Sequence, residues 1–107
     1  METIVVLITC ATEEEAAKIA EVLVKERLAA CVNRLSGVSS FFWWQGKLDS
    51  AQEVLLVAKS KKSEFSKIEH RVKQLHSYEV PEIIALPVVA GHQPYLNWID
   101  ESLRHPH

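Results

Sequence analysis

The chain has 107 residues, 48% of them hydrophobic, and charges of both signs spread along it to a net -2. That length fits a single domain, 1–107, with a core of its own, and the composition excludes the disordered and fibrous classes. The slightly negative balance exerts no long-range pull on nucleic-acid phosphates or anionic lipid, so neither nucleic acid nor membrane is an expected partner.

The opening METIVVLITCATEEE holds a short apolar run without a basic flank or cleavage site. No later run approaches the roughly 18 apolar residues of a membrane span, and a soluble, cytoplasmic protein is expected. Cys10 and Cys31 are too few and too far apart for a disulfide framework, so reduced thiols follow. Residues 4–9, IVVLIT, are β-branched and continuously apolar, the pattern of a strand covered on both faces. In 12–30, Thr12 and Glu15 have the spacing of a capping box and Ala16, Ile19, Ala20 and Leu23 form a helical stripe.

CVNRL (31–35) and VSSFFWW (38–44) read as one long strand, kinked or bulged at Ser36-Gly37. QGKLDS is the turn, and EVLLVAK (53–59) completes a hairpin about Gly46. A second helix lies in 63–78, with Ser63 as its cap and Phe65, Ile68, Val72 and Leu75 on its apolar side. Residues 81–90 form a fourth strand containing Pro87, and 93–103 a terminal helix opened by Pro94. The order β-α-β-β-α-β plus a helix is that of an α+β, ferredoxin-like fold, and right-handed crossovers arrange its antiparallel strands 4-1-3-2. Pro87 agrees, since strand 4 then lies at an edge.

Two such helices cover one face of the sheet. Strands 1, 3 and 4 are nevertheless apolar on both faces, and Phe41, Phe42, Trp43 and Trp44 put aromatic rings on both sides of strand 2. Each aromatic carries roughly 150–250 Å² of surface, so an open apolar face of that size calls for a partner, and a copy of the chain in closed symmetry is the economical one. The alternative is a monomer whose terminal helix, with Trp98 and Ile99, folds over that face.

The blocks ERLAACVN (26–33), WWQGKL (43–48), EVLLVAKS (53–60), HSYEVPEIIALPV (76–88) and YLNWI (95–99) resemble the CutA family of divalent-cation tolerance proteins, in order and over nearly the whole chain. The resemblance implies a homotrimer with extended hairpins pairing between subunits, Phe41, Phe42, Trp43 and Trp44 at the interface, and a role in copper or other divalent-cation tolerance. It also implies copper(II) or another divalent cation as the bound metal, with none required for folding.

In enterobacterial-type members of that family the copper ligands are a cysteine near the end of the first strand and two adjacent histidines. This chain has Ile8 and Leu75 at two of those positions and His76 at the third. Its candidate ligands are therefore His76, Cys10, two residues beyond Ile8, and Cys31, which falls on a recurrent family position. Bland readings stand beside them: Cys31 as a small buried hydrophobe, His76 as a cation at a helix C-terminus, and His105 and His107 as tail residues.

Lys59, Tyr78, Glu82 and Trp44 match family positions near clefts between subunits. They read either as intersubunit ion pairs or as a pocket for a small molecule or anion, which makes a scaffold or sensor the alternative function. No Ser-His-Asp or Cys-His signature, phosphate loop or H-E-x-x-H motif marks an enzyme.

Overall fold

A computed structural model describes residues 2–104; the expectations for His105 and His107 lie outside the described residues. The elements are β1 (Thr3–Cys10), α1 (Glu13–Lys25), β2 (Cys31–Trp44), β3 (Lys47–Lys61), α2 (Phe65–Leu75), β4 (Ile83–Pro87) and α3 (Gln93–Ser102), with a 3-10 turn, Lys62–Glu64, leading into α2. One antiparallel sheet runs β2-β3-β1-β4, the expected 4-1-3-2 order, with β4 at an edge.

Alternation along the strands divides the sheet. Ile4, Val6, Ile8 and Cys10 of β1 and Val54, Leu56 and Ala58 of β3 face α1 and α2 and are buried with Ala16, Ile19, Leu23, Ile68 and Val72. Each large apolar side chain in that layer contributes about 1.5–3 kcal/mol. On the other face, register places Val5 across from Lys59 and Leu86, and Leu7 across from Val57 and Ile84. This face is half covered: Leu35, Ile84 and Leu86 are exposed.

The terminal helix does not close it. Ile99 of α3 and Leu103, its C-cap, bury themselves against Ala30, just before β2.

Thr12 caps α1 as expected, accepting a hydrogen bond from the Glu15 backbone N–H at 3.2 Å. The helix stops at Lys25, short of the expected residue 30. Arg27 adopts a left-handed φ of 58° there, and the bonds Arg27 N to Val24 O and Leu28 N to Leu23 O close a Schellman motif. Arginine replaces the usual glycine, and its guanidinium donates to the Ser102 carbonyl at 3.0 Å, tying α1 to the end of α3.

Ser63 does not cap α2, whose N-cap is Glu64 without a side-chain bond. The fourth strand is also shorter than 81–90, ending at Pro87, where the ring removes the ladder donor.

The bulge falls between Leu35 and Val38, with Gly37 at φ 73°. Beyond it the β2–β3 hairpin outruns β1, whose pairing with β3 ends at Cys10–Val54. The expected turn 45–50 contracts to Gln45-Gly46, both left-handed, and Lys47–Gln52 are strand. The projecting hairpin gives a radius of gyration of 14.5 Å, against about 13 Å for a compact chain of this length.

Candidate metal cluster and cleft

The end of β1 separates two groups of functional side chains, because Thr9 and Cys10 point to opposite faces of the sheet. On the helix side, Cys10 ends the strand, Glu15 lies in the first turn of α1, and His76 follows the last residue of α2. The thiol, a carboxylate oxygen and an imidazole nitrogen all lie within 4.8 Å of one another. His76 Nδ1 is 3.9 Å from Glu15 Oε2, and the ring is fully buried.

Each ring nitrogen already has a partner. Nδ1 accepts the Tyr78 backbone N–H at 3.0 Å, which leaves Nε2 to carry the proton and donate to Thr9 O at 2.7 Å. Glu15 accepts the Ser77 backbone N–H at 2.6 Å and the Ser77 hydroxyl at 3.2 Å. The Glu15 carboxylate is therefore not free to complete a capping box; it fastens the loop after α2. Burial, then the charges of Glu15 and Glu53, push the Cys10 thiol up to about 12, so it is protonated near neutrality.

Sulfur, nitrogen and oxygen donors in one cluster fit a borderline metal of the copper or zinc kind better than a hard cation, provided the thiol proton leaves. The cluster unites Cys10 and His76 and adds Glu15, which sequence reading had assigned to capping. Cys31 does not join it. It sits on the opposite face across from Lys59, five β3 residues from the partner of Cys10, on the order of 17 Å along the strand. The other expected ligand set is thus reduced to Cys10 and His76.

On the other face, the hairpin and the 78–82 loop enclose a cleft of about 790 Å³. Trp44, Tyr78 and Glu82 line it together, with Phe41, Phe42, Thr9 and Ser40, and with Asp49, Glu53 and Glu79, three acids that sequence reading passed over. Lys59 lies elsewhere, its ammonium bonded to Asn33. Glu53 is 8% exposed, and its Oε2 accepts the Tyr78 hydroxyl at 2.8 Å. Burial first, then that carboxylate, raises Tyr78 to about 12. An acid opening the otherwise apolar run EVLLVAK was the available signal for Glu53. With no Lys or Arg among its described lining residues, the cleft does not suit an anion.

Phe41, Trp43 and Trp44 are 75%, 75% and 61% exposed on the hairpin, and Phe42 is 37% exposed. No helix among the described residues is long and apolar enough to cross a membrane.

Residues 4–102 match the family model of the CutA1 divalent ion tolerance protein. The divalent-cation tolerance protein CutA of Thermus thermophilus is 51% identical over 98 residues, covering 92% of this chain and 95% of that one. A chloroplastic CutA 1 of rice is 40% identical over 95% of this chain, which spans only 58% of the rice protein. The solved structure of the periplasmic divalent cation tolerance protein CutA from Archaeoglobus fulgidus superimposes with a TM-score of 0.92 at 39% identity, covering 95% of this chain and 99% of that one.

Proposed function

The chain belongs to the CutA1 divalent ion tolerance family, and from that membership we propose that it is a non-catalytic homotrimer that binds copper(II) or another divalent cation in the cytoplasm. The convergence of Cys10, Glu15 and His76 within 4.8 Å carries the metal reading. Sγ, an imidazole nitrogen and a carboxylate would hold the ion, and the same Glu15 charge that raises the thiol pKa attracts a cation. Uptake displaces the thiol proton and competes with the Tyr78 or Thr9 bond of His76, so affinity rises with pH.

In this reading folding needs no metal: the helix-face core packs apolar side chains of β1, β3, α1 and α2 against one another. A neighbouring Cys and His invite a nucleophilic reading, but a fully buried, protonated thiol beside an imidazole with both nitrogens bonded has no route to a substrate. Assembly is supported by the half-covered apolar face and the bare aromatic hairpin. Two free thiols, Cys10 and Cys31, support the cytoplasm as the compartment.

Equilibrium dialysis with copper(II) and zinc on protein ending at Arg104, which removes the tail histidines, tests the site. One saturable ion per chain is expected, lost in Cys10→Ala and Glu15→Gln and kept in Cys31→Ser. Uptake indifferent to the first two substitutions refutes the assignment.

A further inference from the structure

Three consecutive residues, 76–78, are bonded to both sides of the sheet. At the cluster, Ser77 gives its backbone N–H to Glu15 Oε1 at 2.6 Å and its hydroxyl to Glu15 Oε2 at 3.2 Å, while His76 Nε2 donates to Thr9 O at 2.7 Å. On the other side, the Tyr78 hydroxyl donates to Glu53 Oε2 at 2.8 Å. A bond inside the segment joins the two ends: the Tyr78 backbone N–H donates to His76 Nδ1 at 3.0 Å, and the two rings lie 4.8 Å apart. The His76 ring is fully buried and Glu53 is 8% exposed, so neither end trades its partner freely for bulk water.

Elementary valence makes this bond incompatible with ligation. Each Glu15 oxygen keeps a second lone pair after accepting from Ser77, so the carboxylate can hold an ion and the loop together. A neutral imidazole has a single lone pair, and that of His76 is already given to the Tyr78 N–H. Ligation through Nδ1 takes that lone pair directly. Ligation through Nε2 moves the ring proton to Nδ1 and sets one donor against another. Either way the Tyr78 N–H loses its acceptor, in a part-buried setting where an unpaired donor is costly unless residue 78 shifts to find another.

We infer that the 76–78 segment is a metal-responsive latch: occupancy of the Cys10, Glu15 and His76 cluster releases the Tyr78 N–H, draws the Tyr78 hydroxyl away from Glu53, and so reports the ion to the opposite face of the sheet, which the proposed assembly covers. The inference rests on the metal reading above and adds to it a route and a direction. Tyr78 acts here as a positioning residue, since it reaches the cluster only through His76.

Zinc is the probe, because its closed shell brings no redox chemistry. It is titrated into the full chain in its native assembly, with Cys10→Ala measured alongside to subtract any ion held elsewhere. Saturating zinc should remove the protection of the Tyr78 N–H against hydrogen exchange, read by mass spectrometry, and leave it unchanged in Cys10→Ala. Linkage supplies the second readout: Tyr78→Phe has no hydroxyl bond to break, so it should take zinc about two- to tenfold more tightly than the parent. A hydroxyl that merely braces the loop predicts unchanged or weaker uptake instead. Cys10-dependent uptake that leaves the Tyr78 N–H as protected as before, or a Tyr78→Phe variant that binds zinc no more tightly, overturns the latch and spares the metal site. Absence of Cys10-dependent uptake overturns both. Should Tyr78→Phe fail to fold, the exchange measurement on the parent decides alone.

Discussion

Tyr78 and Cys10 illustrate how much of this site is decided by single groups. The Tyr78 hydroxyl is the neutral donor that satisfies Glu53, so Tyr78→Phe leaves one buried carboxylate oxygen without a partner and should cost about 1–3 kcal/mol in urea denaturation. Both Tyr78 and Cys10 are raised to about 12 in the fold, from ordinary values of 10.0 and 9.0. The unfolded chain therefore releases these protons first. Their contribution to stability is whole below about pH 9 and drains away as pH rises toward 12. Urea midpoints measured from pH 8 upward should fall over that window, and Cys10→Ala should flatten its lower part; an unchanged slope in the variant would show that the thiol is not the group titrating. At this scale the sequence was readable where one residue had one task, as with the Thr12 cap. Glu15 was misread because its spacing satisfied a local pattern while its carboxylate served a loop 62 residues away.

The β2–β3 hairpin is where local backbone chemistry and long-range reach meet. Gln45 and Gly46 have φ of 50° and 77°, the left-handed pair of a type I′ turn, whose twist matches the strands. Nothing lies within 4 Å of a Cβ placed on Gly46, so substitutions there act through conformation alone. Gly46→Ala should destabilise by about 1 kcal/mol, whereas Gln45→Asn, the preferred residue at a left-handed first position, should stabilise by some tenths, both read from thermal melts. The hairpin, its bulge and the strand order were legible because glycines and apolar runs mark them directly. Its true length was not. Lys47–Gln52 are polar but for Leu48 and Ala51 and mostly exposed, since no third strand accompanies them, and exposed strand carries no alternating signal. The end of α1 was hidden for the opposite reason: Arg27 takes a glycine's conformation and is held in it by the Ser102 carbonyl.

For the whole molecule the governing quantity is apolar area left in water. Leu35, Ile84 and Leu86 are about half exposed on the sheet face away from the helices, and Phe41, Trp43 and Leu48 stand in solvent on the hairpin at 75%, 75% and 67%. They form two apolar surfaces, one on each face of the sheet, of the kind that marks a contact between chains. An unpaired aromatic edge on β2 adds a row of free backbone groups, which a neighbouring hairpin can satisfy in closed symmetry without leaving a template for aggregation. Trp43→Glu places a charge at the middle of that surface while touching nothing in the subunit's own core. Light scattering should therefore report three chains for the parent protein and a smaller particle for the variant, with far-ultraviolet circular dichroism unchanged. A parent protein that weighs as a single chain on dilution would mean that the open face tolerates water. A variant that keeps three chains would instead move the contact off the hairpin and onto the Ile84–Leu86 side of the sheet, where Leu86→Glu provides the matching test.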